Sequence, residues 1–238
     1  MDSTVAVALA GAGILATVNV YRLFFNRQAR TRRALARQPR TAMRDVRDGE
    51  PCKIVGRIEY AEEPKLAPFT ARKCAGYSVH VYNNDMDGGG GTLLHEDRCG
   101  DFFVRDEDGT RALIRGGSVR VVITKDAHFQ SLGPGTHIWP KLEEPPPRVE
   151  EFLRARGKSM KGLVFTKTLR FDEGVLEAGE LVSVSGVGRW EIDSNPRAAG
   201  AGYREAPKLL VFIGSAEAPR LVSDDPDTTA SLPSTIGR

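Results

Sequence analysis

Cysteine and histidine are scarce in this 238-residue chain, and no member of either type follows His137. Three cysteines, Cys52, Cys74 and Cys99, are too few and too scattered for a disulfide framework. The histidines are His80, His95, His128 and His137. His95-x3-Cys99 with Cys74 can be drawn as a zinc set, but it lacks the closely paired ligands of structural zinc motifs. No nucleophile elbow, HExxH or dinucleotide fingerprint occurs. The run Gly88–Gly91 has no Lys-Ser/Thr and no helix pattern after it. Gly157-Lys158-Ser159 has the tail of a phosphate-binding loop, but Phe152 stands where the upstream glycine is required. Asp106, Asp108 and Gly109 fail as a calcium loop, because the glycine comes too early and no bidentate glutamate follows in place. The sequence therefore gives no catalytic, cofactor or metal residue. An enzyme with an unrecognised site, built for example on Cys74 or His80, stays open as an alternative.

Acid is equally scarce from Arg22 to Arg47, where nine arginines (22, 27, 30, 32, 33, 37, 40, 44 and 47) face only Asp45. That segment carries +8, so residues 48–238 carry −4, and the basic pI belongs to the collar and not to the rest. A nucleic-acid partner is therefore not expected. Long apolar runs are absent too, except at the start. Thr4–Phe25 is 22 residues with one charge, Arg22. As a helix it reaches roughly 33 Å, enough for a hydrocarbon core of about 30 Å. Tyr21, Phe24 and Phe25 suit an interfacial belt, and Arg22 can snorkel. A cleaved signal needs a positive leader and a small-residue cleavage site; here Asp2 precedes the run and aromatics and arginines end it. The reading is a retained single-pass anchor over residues 1–25. The alternatives are a cleaved signal or a buried helix. Small-xxx-small pairs such as Ala6/Ala10 and Ala12/Ala16 leave a homodimer through this helix open, although Ala and Gly are common in membrane helices anyway.

The collar sets orientation: its arginines hold that side in the cytoplasm, N-terminus outside. They also attract anionic headgroups, with Arg22, Arg27, Arg30, Arg32 and Arg33 nearest the membrane. A basic juxtamembrane helix is expected over residues 26–45, ending at Pro39 at the latest for its regular part.

The remainder reads as mainly β: one or two small OB-like or Greek-key barrels behind the transmembrane helix. Strand patterns cover Pro51–Tyr60, Cys74–Tyr82, Leu93–Arg98, Val119–Thr124, Lys161–Phe171, Glu180–Ile192 and Lys208–Ile213. Asp101–Arg115 reads as a hairpin around Asp108-Gly109. His128–Pro147 reads as a Gly/Pro-rich connector, Arg148–Arg156 as one short helix, and residues 215–238 as a disordered tail. Gly49-Glu50-PCKIVG echoes Gly179-Glu180-LVSVSG, which suggests two related β units, residues 46–124 and 160–214, with chance as the rival explanation.

Three stretches carry a family resemblance: LAPFTARKCAGYSVHVY (66–82), GDFFVRDEDGTRALI (100–114) and LRFDEGVLEAGELVSVSGVGRWE (169–191). In this order, behind an apolar span, they resemble the GIDE or BAM (beside-a-membrane) domain, over residues 46–214. That family occurs in a mitochondrial ubiquitin ligase and in many bacterial membrane proteins. The resemblance implies a membrane-adjacent domain, and in the animal protein two spans and a C-terminal RING finger. This chain departs from that pattern: Leu209–Ile213 is too short to span, and no cysteine or histidine follows it to bind a RING zinc. Ligase activity is therefore not carried over. The matched positions Pro68, Cys74, Glu173, Gly179 and Gly186 look structural; Glu173 alone is open to a further role, against the favoured reading that it caps a turn or pairs with Arg170.

The expected function is a noncatalytic β domain, tethered to a membrane by a single pass, that binds an unknown partner protein or lipid at the membrane surface. A RING-less relative of membrane ubiquitin ligases, working in a ubiquitin-like pathway, is the alternative that the resemblance adds.

Overall fold

The structure is a computed structural model that describes residues 27–83, 91–117, 119–131, 144–159, 169–193, 208–215 and 218–230. The anchor expected over residues 1–25 lies outside these residues, as do the loop glycines before Gly91 and His137. Among the described residues no helix is long and apolar enough to cross a membrane.

The chain enters as helix α1 (Arg27–Arg37), which stops short of Pro39 as expected, then a 3-10 turn at Met43–Asp45. Strand β1 (Pro51–Tyr60) follows. An insertion carries the two-residue strands β2 (Lys65–Leu66) and β3 (Lys73–Cys74), then β4 (Gly76–Asn83) and β5 (Thr92–Cys99). The expected hairpin is β6 (Phe102–Arg105) and β7 (Arg111–Ile114), paired antiparallel. Asp106 accepts the Thr110 N–H across the turn at 2.9 Å. A second insertion carries β8 (Val119–Val122), β9 (Ala127–Ser131), helix α2 (Pro147–Arg154) and β10 (Leu169–Leu176). The long β11 (Leu181–Ile192), β12 (Lys208–Ile213), β13 (Arg220–Ser223) and helix α3 (Pro226–Thr229) complete the described chain.

Five strands close a barrel in the order β1-β6-β7-β12-β11, with β11 returning to β1 and with β7 and β12 parallel. Alternate residues fill its interior: Ile54 and Ile58, Phe102 and Val104, Ala112 and Ile114, Val182 and Val184, Leu210 and Phe212. The two insertions jointly build an open four-stranded sheet, β5-β4-β10-β9. One face of that sheet is apolar, and there Val79, Val81, Phe129, Leu169 and Phe171 pack with Phe69 and with Val149 and Leu153 of α2.

The Gly-Glu echo has a structural counterpart. β1 and β11 pair antiparallel about the central pair Ile54↔Val184, from Pro51↔Val187 to Arg57↔Leu181. One constant offset relates Gly49 to Gly179, Ile54 to Val184 and Gly56 to Gly186, so the ladder maps onto itself under a local two-fold. Gly49 (φ 77°) donates its N–H to the Gly188 carbonyl at 2.8 Å, and Gly179 (φ 90°) donates to the corresponding Ile58 carbonyl at 2.8 Å. A positive φ at both sites is what the glycine of each Gly-Glu pair supplies. The onward strands keep the same registry: Ile58 faces Val104 of β6, and Gly188 faces Phe212 of β12.

Several expectations are corrected. The units 46–124 and 160–214 do not form separate barrels; each contributes strands to one barrel, because β1 and β11 complete each other's hydrogen bonding. The Gly/Pro-rich connector contains β9, whose Phe129 is pulled into the core of the second sheet. The tail read as disordered from residue 215 is ordered between Arg220 and Ala230. β13 lies between β11 and β8, and Val222 is fully buried in the barrel core. Arg220 is 1% exposed, and its guanidinium donates to the carbonyls of Phe212 (2.7 Å) and Gly116 (2.8 Å).

Lys53 ties the basic helix to the barrel. It is 1% exposed, and its Nζ donates to the Leu35 carbonyl in the last turn of α1 at 2.9 Å. It also donates to the Thr228 carbonyl of α3 at 3.1 Å. Arg32 of α1 adds ion pairs to Asp225 (2.9 Å) and Asp227. Burial lowers the Lys53 pKa, and the two carbonyl ligands give its charge a partner in place of a carboxylate.

Candidate functional site

The hairpin β6–β7 puts apolar side chains on both of its faces. Phe102, Val104, Ala112 and Ile114 point into the barrel, so Phe103 and Leu113 point out. By the same alternation Leu209 and Val211 of β12 point out beside them. These four side chains floor a groove of about 320 Å3 on the barrel's outer surface. Its walls are the chain leaving β1 (Ala61, Glu62), the end of β11 (Glu191, Ile192, Asp193), and Asp101 with Arg115. Four carboxylates thus stand around the groove with one lining arginine, Arg115, which is itself paired with Asp101 at 3.0 Å; a second guanidinium, that of Arg111, lies over the floor. Ile192 is 73% exposed at the rim, and Ile213 beyond the floor on β12 is 44% exposed. The Arg111 guanidinium covers the Phe103 ring at 3.9 Å and is held by Glu59 at 3.2 Å. Sequence reasoning did not single out Phe103, Leu113, Leu209 or Val211. The signal was present: apolar residues occupy both phases of the two-residue period in FFV and ALI, where a strand with a wet outer face alternates.

The family-motif positions do not meet at this groove. Glu173 lies on β10, fully buried, and accepts the backbone N–H of Phe69 at 2.7 Å, that of Thr70 at 3.0 Å, and the Thr70 hydroxyl. It caps the 67–71 turn, in which Ala71 holds φ 58° and donates to the Ala67 carbonyl at 3.0 Å. The alternative partner, Arg170, pairs with Asp172 at 3.2 Å. Pro68 belongs to the turn that Glu173 caps, and Arg72 just beyond it grips Asp126 through both terminal nitrogens at 2.6 and 2.7 Å. Gly186 leaves room for Arg220: an added Cβ would sit 3.1 Å from the Arg220 Cγ and 3.4 Å from the Phe212 ring. Burial pushes the Cys74 thiol up to about 11 and Cys99 to about 12, which is the reverse of an activated nucleophile.

Of the basic residues expected at the membrane, Arg22 lies outside the described residues and Arg27 opens α1. Arg30 and Arg32 are exposed and Arg33 is half-buried, while Arg32 is engaged by Asp225 and Asp227. Among the described residues no group of three or more His, Cys, Asp and Glu side chains is placed to hold a metal ion. Comparison with family models, with curated proteins and with solved structures finds no match to this chain.

Proposed function

We propose that this protein is a noncatalytic binding module, held at a membrane surface by its N-terminal segment, whose groove takes a basic, apolar-flanked segment of a partner protein. The observation that carries this reading is the groove: an apolar floor with four carboxylates around it. Taken in chain order, the barrel strands follow the path 1-2-3-5-4-1 with the third and fifth parallel, which is OB-like. OB folds bind ligands on the face of strands 2 and 3, between the loops joining strands 1–2 and 4–5. Here that face is β6–β7, flanked by the chain after β1 and the end of β11. Nucleic-acid binding on such a face depends on Lys and Arg neutralising phosphates. Glu62, Asp101, Glu191 and Asp193 oppose it, and they oppose anionic headgroups as well. A cationic peptide segment is the complementary ligand.

Membrane attachment, with the N-terminus outside and the barrel cytoplasmic, rests on the Thr4–Phe25 run and the arginine collar. The Lys53 contacts support it mechanically. A helix that leaves the membrane and is fastened to β1 would present the groove at a fixed angle to the bilayer.

Panning a peptide library on the full-length chain tests the reading. Peptides rich in Lys and Arg with an aliphatic or aromatic residue nearby should be enriched, and they should lose binding to the double variant Glu62→Lys/Glu191→Lys. Enrichment of acidic peptides, or undiminished binding to that variant, would refute it.

A further inference from the structure

The groove does not end at its acidic wall. Glu62 and Asp101 also line a second cavity, of about 350 Å3, a size that takes a side chain or a small ligand. It opens where the first insertion leaves and rejoins the barrel, between the chain after β1, the start of β6 and the loop after β7. Antiparallel pairing of Tyr60 with Phe102 brings the first two of these together. The two hollows are therefore neighbours with a pair of carboxylates between them.

Their linings differ. The groove is floored by Phe103, Leu113, Leu209 and Val211, and two guanidinium groups already stand at it, Arg115 paired with Asp101 and Arg111 with Glu59. A further cation there would meet like charge. The second cavity has no arginine in its lining. Its carboxylates are Glu62, Glu63 and Asp101, and its one cation among the described residues is Lys65. Lys65 reaches across Gly100, where an added Cβ would lie 3.7 Å from the ammonium nitrogen. Asp101 is committed: Oδ2 accepts from Arg115 at 3.0 Å and Oδ1 from the Gly116 N–H at 2.6 Å. Glu62 and Glu63 are exposed and take part in no ion pair among the described residues, although Lys65 is only two or three positions on. The Cys74 and Cys99 thiols, pushed up to about 11 and about 12, stay protonated and add no charge.

The walls fit a particular shape of ligand. Tyr60 and Pro64 supply apolar surface, and Ala75, 6% exposed, lies at the floor. The Tyr60 hydroxyl is already used, donating to the Lys73 carbonyl at 2.8 Å and accepting the Ala178 N–H at 3.3 Å. The ring is thereby fixed and offers packing surface rather than a hydrogen bond. Lys and Arg side chains lay a methylene stem along apolar surface and keep the charge at a polar mouth. Here the mouth holds two carboxylates that the protein leaves unpaired.

We infer, on the function proposed above, that the basic residue of the partner segment enters this second cavity. Its stem packs on Tyr60 and Pro64, its charge stands at Glu62 and Glu63, and its apolar neighbour rests on Phe103 and Leu113 in the groove. The two hollows then select different residues of one segment. Glu63, which lines only the second cavity, selects for the cation; Glu191, which lines only the groove, does not.

The experiment takes a peptide with one Lys or Arg, enriched on the full-length chain, and its twin with the neutral counterpart, acetyl-lysine or citrulline. Fluorescence anisotropy gives Kd for both on the unaltered chain and on Glu63→Gln and Glu191→Gln, each an exposed position. On the unaltered chain the neutral peptide should bind roughly threefold to fivefold more weakly. That difference should fall by at least half in Glu63→Gln and persist in Glu191→Gln, since only residues in contact couple. A third peptide, with Glu at the basic position, should bind Glu63→Lys more tightly than it binds the unaltered chain. The inference is overturned, with the proposed function left standing, if the difference keeps its full size in Glu63→Gln, if Glu191→Gln removes it equally, or if the Glu peptide gains nothing on Glu63→Lys. A neutral peptide that binds the unaltered chain as well as the basic one does would overturn the proposed function and this inference together.

Discussion

Replacing Glu173 by Gln separates a structural carboxylate from a functional one. The glutamate receives three donors: the N–H groups of Phe69 and Thr70 and the Thr70 hydroxyl. Glutamine keeps the shape but has one acceptor oxygen. That oxygen best serves the two Thr70 donors, so the amide NH2 is left facing the Phe69 N–H, donor against donor. A buried unsatisfied N–H costs about 1–3 kcal/mol, and loss of the charge weakens the two bonds that remain. Relief from burying a charge offsets part of this, so the net loss should be about 3 kcal/mol. For a chain of this size that lowers the melting temperature by roughly 6–12 °C. Urea unfolding of the full-length chain with its Gln and Ala variants gives the magnitude, and hydrogen exchange at Phe69 and Thr70 gives the location. The Ala variant should lose more, because all three donors are orphaned and a cavity opens beside Phe69. Peptide binding by the folded fraction should not change, since Glu173 is not among the groove residues. A Gln variant within about 0.5 kcal/mol of the unaltered chain, or one that is stable but cannot bind, would refute the assignment.

A chain ending at Ser215 should be strongly destabilised in thermal melts, because it lacks β13, the Arg220 contacts and Val222 of the barrel core; unchanged melting would restore the disordered-tail reading. Lys53→Met should raise hydrogen exchange in α1 and in residues 226–229 together, since one Nζ serves both; independent responses would break the proposed coupling. Glu96 of β5 is held down to about 2, chiefly by Arg156, with Tyr77 and Arg98 adding hydrogen bonds. A depressed carboxylate stabilises the fold above its ordinary value of 4.5 and loses that contribution as pH falls toward 2. Stability measured against pH should therefore drop across that window, and Glu96→Gln should flatten the drop; an equal drop in the variant would place the acid sensitivity elsewhere.

The sequence by itself determined the β character, most of the strands, the hairpin turn at Asp108-Gly109 and the helix stop before Pro39, because each is encoded within a few residues by period-two alternation, turn chemistry or proline sterics. It also held the Gly-Glu echo, since the same positive-φ turn recurs at Gly49 and Gly179. Only the tertiary structure decided that the echoing strands pair with each other, so that two expected units became one barrel. Hydrogen-bond partners separated by more than a hundred residues leave no local trace. For the same reason a tail rich in Ser, Asp and Pro hid a strand: Arg220 and Val222 are ordered by β11, the Gly116 carbonyl and the barrel core, not by their neighbours. The groove was half legible, in the doubled apolar phases of FFV and ALI. Its acids arrive from three separate segments, and the meeting of Glu62 and Glu63 with Asp101 at the second cavity depends on strand registry, which is set by distant pairing and by which face of the sheet finds the core.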